Sequence, residues 1–140
     1  MKKAVLSLGS NVGDRHLYLA EAIKYIEKNT SKIVEKSSVY ETEAWGFEAL
    51  PFLNQVVVIH TVLSPWQLLK TLQNIEKQLG RTLKSKSNNK KTSYHNRTID
   101  IDILLYENQK INSSELIIPH PLIHQRNFVK MPLDELKINY

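Results

Sequence analysis

The chain has 140 residues, of which 41% are hydrophobic, and it contains no cysteine. This length is enough for one globular domain with its own core but not for a second catalytic domain, and the lack of cysteine excludes disulfides, thiolate zinc sites and cysteine nucleophiles. The net charge of +5 suggests a polyanionic partner, which a nucleotide satisfies as well as a nucleic acid does.

The N-terminal segment has the pattern of a strand followed by an amphipathic helix. KKAVLSL predicts the strand, and residues 11–14 form a turn into RHLYLAEAIKYIEKN, whose apolar residues recur at helical spacing. Only five residues, 4–8, separate the two lysines from a polar Gly-Ser-Asn, which is too few for the apolar region of a signal peptide. No longer apolar run occurs, so we expect a soluble cytoplasmic protein.

The middle of the chain predicts two strands, IVEKSSVYET and FLNQVVVIHTVL, and then a second helix. In SPWQLLKTLQNIEKQLG, Ser64 is the expected cap, Pro65 the first helical residue, Gln67 the capping-box partner and Gly80 the stop. NRTIDIDIL predicts the next strand, and KINSSELIIP a further short strand or extended edge. The order β-α-β-β-α-β predicts an α+β fold: a ferredoxin-like sandwich, one domain over residues 1–140, with helices packed on one face of an antiparallel sheet.

The segment NRTIDIDIL alternates three isoleucines with two aspartates, Asp100 and Asp102. Because successive side chains of a strand point to opposite faces, the two carboxylates share one face and lie about 7 Å apart. Two like charges held this close disfavour ionisation unless something positive lies near them. A divalent cation or a cluster of arginines and lysines would offset this repulsion, and on an exposed face water alone would reduce it.

A long polar loop, RTLKSKSNNKKTSYHNR, leads into this strand and contains six arginines and lysines but no acid. By itself it fits either a functional lid or a solvated surface loop. Its last residue, Arg97, stands three positions before Asp100, and cations beside paired carboxylates indicate a site where Mg²⁺ bridges phosphate oxygens. We therefore expect residues 82–96 to be mobile without ligand and to close over a bound nucleotide.

The glycines of LGSNVGD do not form a phosphate loop, because no Gly-Lys-Ser/Thr follows them. Phosphate binding must then depend on a metal and on side-chain cations. The basic loop supplies such cations, and so does the segment IIPHPLIHQRNFV through His120 and Arg126.

Aromatic residues are few, and several stand beside polar ones. Phe52 lies two positions before Asn54, and Phe128 two positions after Arg126. Such rings either belong to the core, as most aromatic side chains do, or form a slot for a flat heterocycle whose edge the amide reads.

Five motifs together resemble the hydroxymethyldihydropterin pyrophosphokinase family of folate biosynthesis. They are LGSNVGDR, FLNQVV, IEKQLGR, NRTIDIDIL and IIPHPLIHQRNFVKMPL, which occur in the family's order and cover nearly the whole chain. The resemblance implies an ATP-dependent diphosphokinase with a ferredoxin-like core. Such an enzyme transfers the β,γ-pyrophosphoryl group of ATP to the hydroxymethyl group of 6-hydroxymethyl-7,8-dihydropterin and releases AMP, a reaction that needs little covalent chemistry from the protein.

The same resemblance implies roles for individual residues. Asp100 and Asp102 bind two Mg²⁺ ions and, with Arg81 and Arg97, form the catalytic group. The residues implied for the pterin are Thr42, Trp45, Phe52, Asn54 and Phe128. The residues implied for ATP are Gln73, Glu76, Lys84, Arg97, Ile103, His120 and Arg126.

On this interpretation we expect small-molecule partners, ATP and the reduced pterin alcohol, and no binding to nucleic acid or membrane. We expect the protein to be a monomer or a weak homodimer. An RNA-binding ferredoxin-like module would need aromatic residues on its central strands, and the run typical of such modules is absent from the sequence. A two-metal nuclease or phosphatase agrees with the paired aspartates but leaves the aromatic and Asn residues without a role. A regulatory ferredoxin-like domain has no need of a basic loop beside paired acids.

Overall fold

The computed structural model describes residues 1–29, 32–42, 51–81 and 98–140, without the side chain of Arg81. Its strands and helices, in chain order, are β1 (Lys2–Ser10), α1 (Arg15–Asn29), β2 (Lys32–Lys36), β3 (Tyr40–Thr42), β4 (Phe52–Thr61), α2 (Pro65–Glu76), β5 (Asp100–Tyr106), β6 (Ile111–Asn112), β7 (Ile117–Ile118) and α3 (Asn127–Glu135). A π-helical turn over Lys77–Arg81 continues α2. The lid expected over residues 82–96 lies outside the described residues.

The main sheet is antiparallel, in the order β2-β4-β1-β5, and β3 also pairs with β4. The predicted α+β architecture is confirmed. Where the sequence predicts one strand over residues 33–42, the structure has two, β2 and β3, separated by residues 37–39. The segment KINSSELIIP contributes the small hairpin of β6 and β7.

The second helix begins where its sequence signals predict, and the regular helical backbone is interrupted at the predicted stop, Gly80. The Ser64 hydroxyl accepts a hydrogen bond from the Gln67 N–H (3.2 Å), and the Gln67 side chain accepts one from the Ser64 N–H (2.9 Å). These two bonds form the capping box, with Pro65 as the first helical residue. Gly80 has a φ of 116°, a conformation that side-chain-bearing residues rarely adopt, so the regular helical backbone is interrupted at this residue.

The first face of the sheet packs against α1 and α2. Its core includes Leu6 and Leu8 from β1 and Ile101 and Ile103 from β5, together with apolar residues of both helices. The isoleucines of β5 therefore share a buried face, as the period-two pattern predicts. No helix within the described ranges is both long and apolar enough to cross a membrane.

The second face is covered in part by α3, which the sequence analysis did not predict. Val56 and Val58 of β4 pack with Val129 and Leu133 of this helix in a separate core. Pro132 lies inside α3; because proline disfavours helix interiors, the local pattern argued against a helix here. The helices thus cover both faces, and α3 contacts β3 and β4.

Candidate active site

The strand register brings one glycine and two polar residues into one row across the sheet. Gly9 of β1 pairs with Asn54 of β4 on one side and with Asp100 of β5 on the other. Paired residues share a face, so all three lie on the second face of the sheet. Adjacent strands are about 4.8 Å apart, which separates the backbones of Asn54 and Asp100 by about 10 Å.

Asp100 and Asp102 lie on this same face, as the alternation predicts, and both are partly exposed. The Asp102 side chain keeps 36% of its surface exposed. Among the described residues there is no cluster of three or more His, Asp or Glu side chains that could form a metal site. Two carboxylates without further protein ligands suit Mg²⁺, which retains several waters and takes phosphate oxygens from the substrate.

Glu76 holds the strand that bears these aspartates. Its carboxylate accepts a hydrogen bond from the Ile101 N–H at 2.7 Å, and the residue is only 6% exposed. Ile101 stands between Asp100 and Asp102, so the end of α2 is hydrogen-bonded to the backbone of the segment that bears both aspartates. Contact of Glu76 with ATP stays a prediction. The structure shows a different interaction of Glu76, its hydrogen bond to the backbone of β5.

His120 presents a proton-bearing nitrogen toward Asp102. Its Nδ1 accepts a hydrogen bond from the Leu122 N–H (3.2 Å), so in the neutral ring the proton is on Nε2. The Nε2 atom is 4.0 Å from Asp102 Oδ2. Burial lowers the pKa of His120 and the charge of Arg126 lowers it further, while Asp100 opposes them. The imidazole is therefore a neutral donor at neutral pH.

Arg126 and Phe128 are adjacent in space as well as in sequence. The guanidinium carbon of Arg126 is 5.4 Å from the centre of the Phe128 ring, a cation–π distance. The positive charge of the same guanidinium lowers the pKa of His120, so Arg126 lies close enough to His120 to act on it electrostatically. Phe128 is half-buried and packs on the core beneath α3.

Asn54 and Thr42 form a fixed polar pair at the other end of the row. The Asn54 Nδ2 donates a hydrogen bond to the Thr42 Oγ1 at 2.8 Å, and Asn54 is 3% exposed. Thr42 pairs with Phe52 across β3 and β4. Phe52 is half-buried, so part of its ring surface remains outside the core.

A pocket of about 220 Å³ opens beside β5, between α2 and the β6–β7 hairpin. Apolar side chains from all three elements line it: Leu69, Ile101, Ile103, Leu116 and Ile117. Asp102 and His120 also line it. Gln73 stands one helical turn after Leu69, so it belongs to the same face of α2.

The hairpin side of this pocket is the part of the candidate site that the sequence analysis missed. Ser114, Glu115 and Leu116 contribute to the lining, but KINSSELIIP carries no motif beyond its strand pattern. The one hint in the sequence that this segment belongs to the candidate site is that it directly precedes His120. Trp45, Lys84 and Arg97 lie outside the described residues, as does the side chain of Arg81, and their roles stay predictions.

Comparison with known proteins agrees with the resemblance in the motifs. A family model described as 7,8-dihydro-6-hydroxymethylpterin-pyrophosphokinase matches residues 5–138. A Porphyromonas gingivalis protein named 2-amino-4-hydroxy-6-hydroxymethyldihydropteridine pyrophosphokinase is 47% identical over 133 residues, covering 94% of this chain and 88% of its own. A Bacillus subtilis protein of the same name is 42% identical over 135 residues, covering 95% and 77%.

Solved structures show the same fold. One described as HPPK-DHPS in complex with substrates has a TM-score of 0.74 at 16% identity, covering 100% of this chain and 43% of that longer one. A Plasmodium falciparum HPPK-DHPS with pteroate has a TM-score of 0.72 at 18% identity, covering 96% and 38%. The motifs, the family model and the close relatives together show that the chain belongs to the 7,8-dihydro-6-hydroxymethylpterin-pyrophosphokinase family, transferases that pass the pyrophosphoryl group of ATP to hydroxymethyldihydropterin in folate synthesis.

Proposed function

We propose that this chain carries out the transfer on the second face of its sheet, between Asn54 and the two aspartates. The row of Asn54, Gly9 and Asp100 is the observation that supports this location. Its span of about 10 Å is comparable to the length of a bicyclic pterin with its hydroxymethyl arm. The Asn54 amide could therefore hydrogen-bond to the edge of the pterin ring while the Asp100 carboxylate lies near its hydroxymethyl group.

The pterin would bind at the Asn54 end of the row. Thr42 holds the Asn54 amide by a 2.8 Å hydrogen bond, which fixes the orientation of the group that reads the ring edge. The half-buried rings of Phe52 and Phe128 supply stacking surfaces, with Trp45 as a further contact that the resemblance implies. Rigid polar partners and flat apolar walls are what selective binding of a heterocycle requires.

ATP would bind in the pocket beside β5. Leu69, Ile103 and Leu116 give an apolar site for the base, close to Gln73 and Glu76 on α2. Asp102 and His120 line the same pocket, so the phosphates extend from it toward the metal site. There the neutral His120 donates from Nε2, and the Arg126 cation offsets phosphate charge.

Asp100 and Asp102 would hold two Mg²⁺ ions, which when bound neutralise phosphate charge and align the attacking hydroxyl with the phosphoryl group. The protein's own contribution is position: strand residues hold the carboxylates, and Glu76 fixes the strand. Arg81, Lys84 and Arg97 would complete the cationic surroundings. We place this reaction in the cytoplasm, in a single domain acting as a monomer or weak homodimer.

The test is formation of AMP from ATP and Mg²⁺, with and without the reduced pterin alcohol. AMP should form only when both substrates are present, and Asp100→Ala and Asp102→Ala should abolish it. Steady hydrolysis of ATP without pterin would favour the rival phosphatase. Near-normal rates in either aspartate variant at saturating Mg²⁺ would contradict the metal assignment.

A further inference from the structure

Arg15, the first residue of α1, hydrogen-bonds to two separate segments of the sheet. Its Nη1 donates to Glu41 Oε2 at 3.0 Å and to the Pro51 carbonyl, also at 3.0 Å. The side chain of Arg15 is 27% exposed and that of Glu41 56% exposed, so a partly buried ion pair is combined with a backbone acceptor. One nitrogen atom thus joins β3 to the residue that precedes β4.

The motif LGSNVGDR, which has no role in the proposed function, determines where this guanidinium stands. Gly13 has a φ of 74°, which favours glycine, and lies in the turn between β1 and α1. Asp14 caps the helix, because its Oδ1 accepts a hydrogen bond from the Leu17 N–H at 3.1 Å. The turn and the cap together hold Arg15 at the first helical position.

The two acceptors of Arg15 stand directly before two residues proposed to bind the pterin. Glu41 precedes Thr42, and Pro51 precedes Phe52. Neighbouring side chains of a strand point to opposite faces, so Glu41 lies on the first face, which α1 covers, and Thr42 on the second. Thr42 pairs with Phe52, so these two share the second face. Arg15 therefore acts from the face opposite to the proposed pterin site.

We propose that Arg15 is a positioning residue that fixes Thr42 and Phe52 relative to each other and thereby increases the affinity for the pterin. This inference rests on the function proposed above. The pair of Thr42 and Phe52 is the last one between β3 and β4 within the described ranges, and β3 has three residues. So short a strand makes few ladder hydrogen bonds, and a side-chain bond to each segment restricts their separation. Residues 43–50, which join the two segments along the chain, lie outside the described residues.

The effect of Arg15 reaches Asn54 through Thr42. The Thr42 Oγ1 accepts a hydrogen bond from Asn54 Nδ2 at 2.8 Å, so a shift of Thr42 would lengthen this bond and release the amide from its orientation. Of the described residues that line the pocket proposed for ATP, none is Arg15, Glu41 or Pro51. Loss of Arg15 should therefore weaken pterin binding and leave ATP binding unchanged.

The experiment compares the parent chain with Arg15→Ala, Glu41→Ala, the double variant and Lys24→Ala. Lys24→Ala is the matched control, because Lys24 is another cation of α1 and forms a surface ion pair with Glu21 at 3.6 Å. Calorimetry measures the affinity for the pterin alcohol in the presence of Mg²⁺ and a non-hydrolysable ATP analogue, and separately the affinity for that analogue. In Arg15→Ala the pterin affinity should fall by about fivefold or more, while the analogue affinity stays within about twofold of the parent.

Further readouts separate positioning from general stability. Glu41→Ala should lose less pterin affinity than Arg15→Ala, because Arg15 keeps its bond to Pro51. The double variant should match Arg15→Ala within about twofold, since the shared contact is already lost. At saturating ATP, Arg15→Ala should show a raised KM for the pterin with kcat within about threefold of the parent. Its melting temperature should fall by no more than about 3 °C, because partly exposed ion pairs contribute little to stability.

Several results would overturn the inference. They include a pterin affinity of Arg15→Ala within about twofold of the parent, or a loss no larger than that in Lys24→Ala. A parallel loss of both affinities with a melting temperature lowered by more than about 3 °C would identify a residue that only stabilises the fold. Additive losses in the double variant would show that Arg15 and Glu41 act independently.

Two remaining outcomes are also decided. If Arg15→Ala does not fold, Glu41→Ala takes its place, and an unchanged pterin affinity in that variant would refute the positioning role. Absence of pterin binding by the parent chain would refute the proposed function, and the inference with it, which distinguishes this failure from the others.

Discussion

Replacing Glu76 by alanine should destabilise the fold and weaken the metal site together. The carboxylate accepts the Ile101 N–H at 2.7 Å in a setting where Glu76 is 6% exposed, so removing it leaves a buried donor without this acceptor. An unsatisfied buried donor costs about 1–3 kcal/mol. For a domain of this size, each kcal/mol lowers the melting temperature by about 3 °C. Glu76→Ala should therefore melt about 3–9 °C below the parent.

Two further variants show which property of Glu76 matters. Glu76→Gln keeps an acceptor oxygen in the same place and should lose less than half of the stability that Glu76→Ala loses. Asn74→Ala is the matched control, because Asn74 is exposed on the same helix, and its free energy of unfolding should stay within about 0.5 kcal/mol of the parent. Thermal unfolding without ligands measures all three.

The functional assay is a Mg²⁺ titration of AMP formation. Ile101 lies between Asp100 and Asp102, so a loosened β5 should raise the Mg²⁺ concentration at half-maximal rate in Glu76→Ala and much less in Glu76→Gln. A melting temperature of Glu76→Ala within about 1 °C of the parent would refute the reasoning. Equal damage from Gln and Ala would show that the charge matters rather than the hydrogen bond.

Three other outcomes follow from the structure. Asp100→Ala or Asp102→Ala should abolish AMP formation while the melting temperature of the ligand-free protein stays the same or rises, because mutual repulsion is relieved; a clear drop in melting temperature would instead mark a structural role. Phe52→Ala should weaken pterin binding by about tenfold or more with little change for ATP, as measured by calorimetry, whereas equal loss of both would place the ring in the core. Hydrogen bonds from Tyr40 and Ser38 lower the pKa of Glu135, so the stability that they confer is present above its ordinary value of 4.5 and is lost as the pH falls through the lowered pKa. Glu135→Gln should therefore melt below the parent at pH 7, the difference should shrink below about pH 4.5, and a constant difference across that range would contradict the assignment.

Local patterns predicted the parts of the fold that depend on neighbours in sequence. Alternation in NRTIDIDIL placed the isoleucines on the buried face and the aspartates on the other, the start of α2 followed from its cap, and Gly80 marked the point where the helical backbone is interrupted. The α1 boundaries, Arg15–Asn29, also match the predicted segment. Each of these features arises within a few residues, where side-chain direction and backbone preference act directly.

Features that depend on register between distant strands could not be predicted in this way. Gly9 meets Asn54 and Asp100 because β1 pairs with two strands far away in sequence, and nothing in LGSNVGDR specifies those partners. The Glu76 bond to Ile101 likewise joins residues 25 apart. The family resemblance named Asn54 and Asp100 as site residues, but their common row comes from the structure.

The position of β5 at the edge of the sheet would allow the two proposed substrates to meet at this strand. The pocket is lined by residues from both faces of β5, Ile101 and Ile103 on one and Asp102 on the other. This is possible because β5 is an edge strand, so a ligand can reach around it from one face of the sheet to the other. An edge also exposes backbone groups that invite pairing with other chains. Here Glu76 accepts the Ile101 N–H, and the His120 N–H donates to the Leu104 carbonyl at 2.9 Å, so both groups are satisfied without another strand. The edge would thus remain accessible to the ATP proposed to bind there, while the two residues that satisfy its backbone groups, Glu76 and His120, lie beside the proposed metal site.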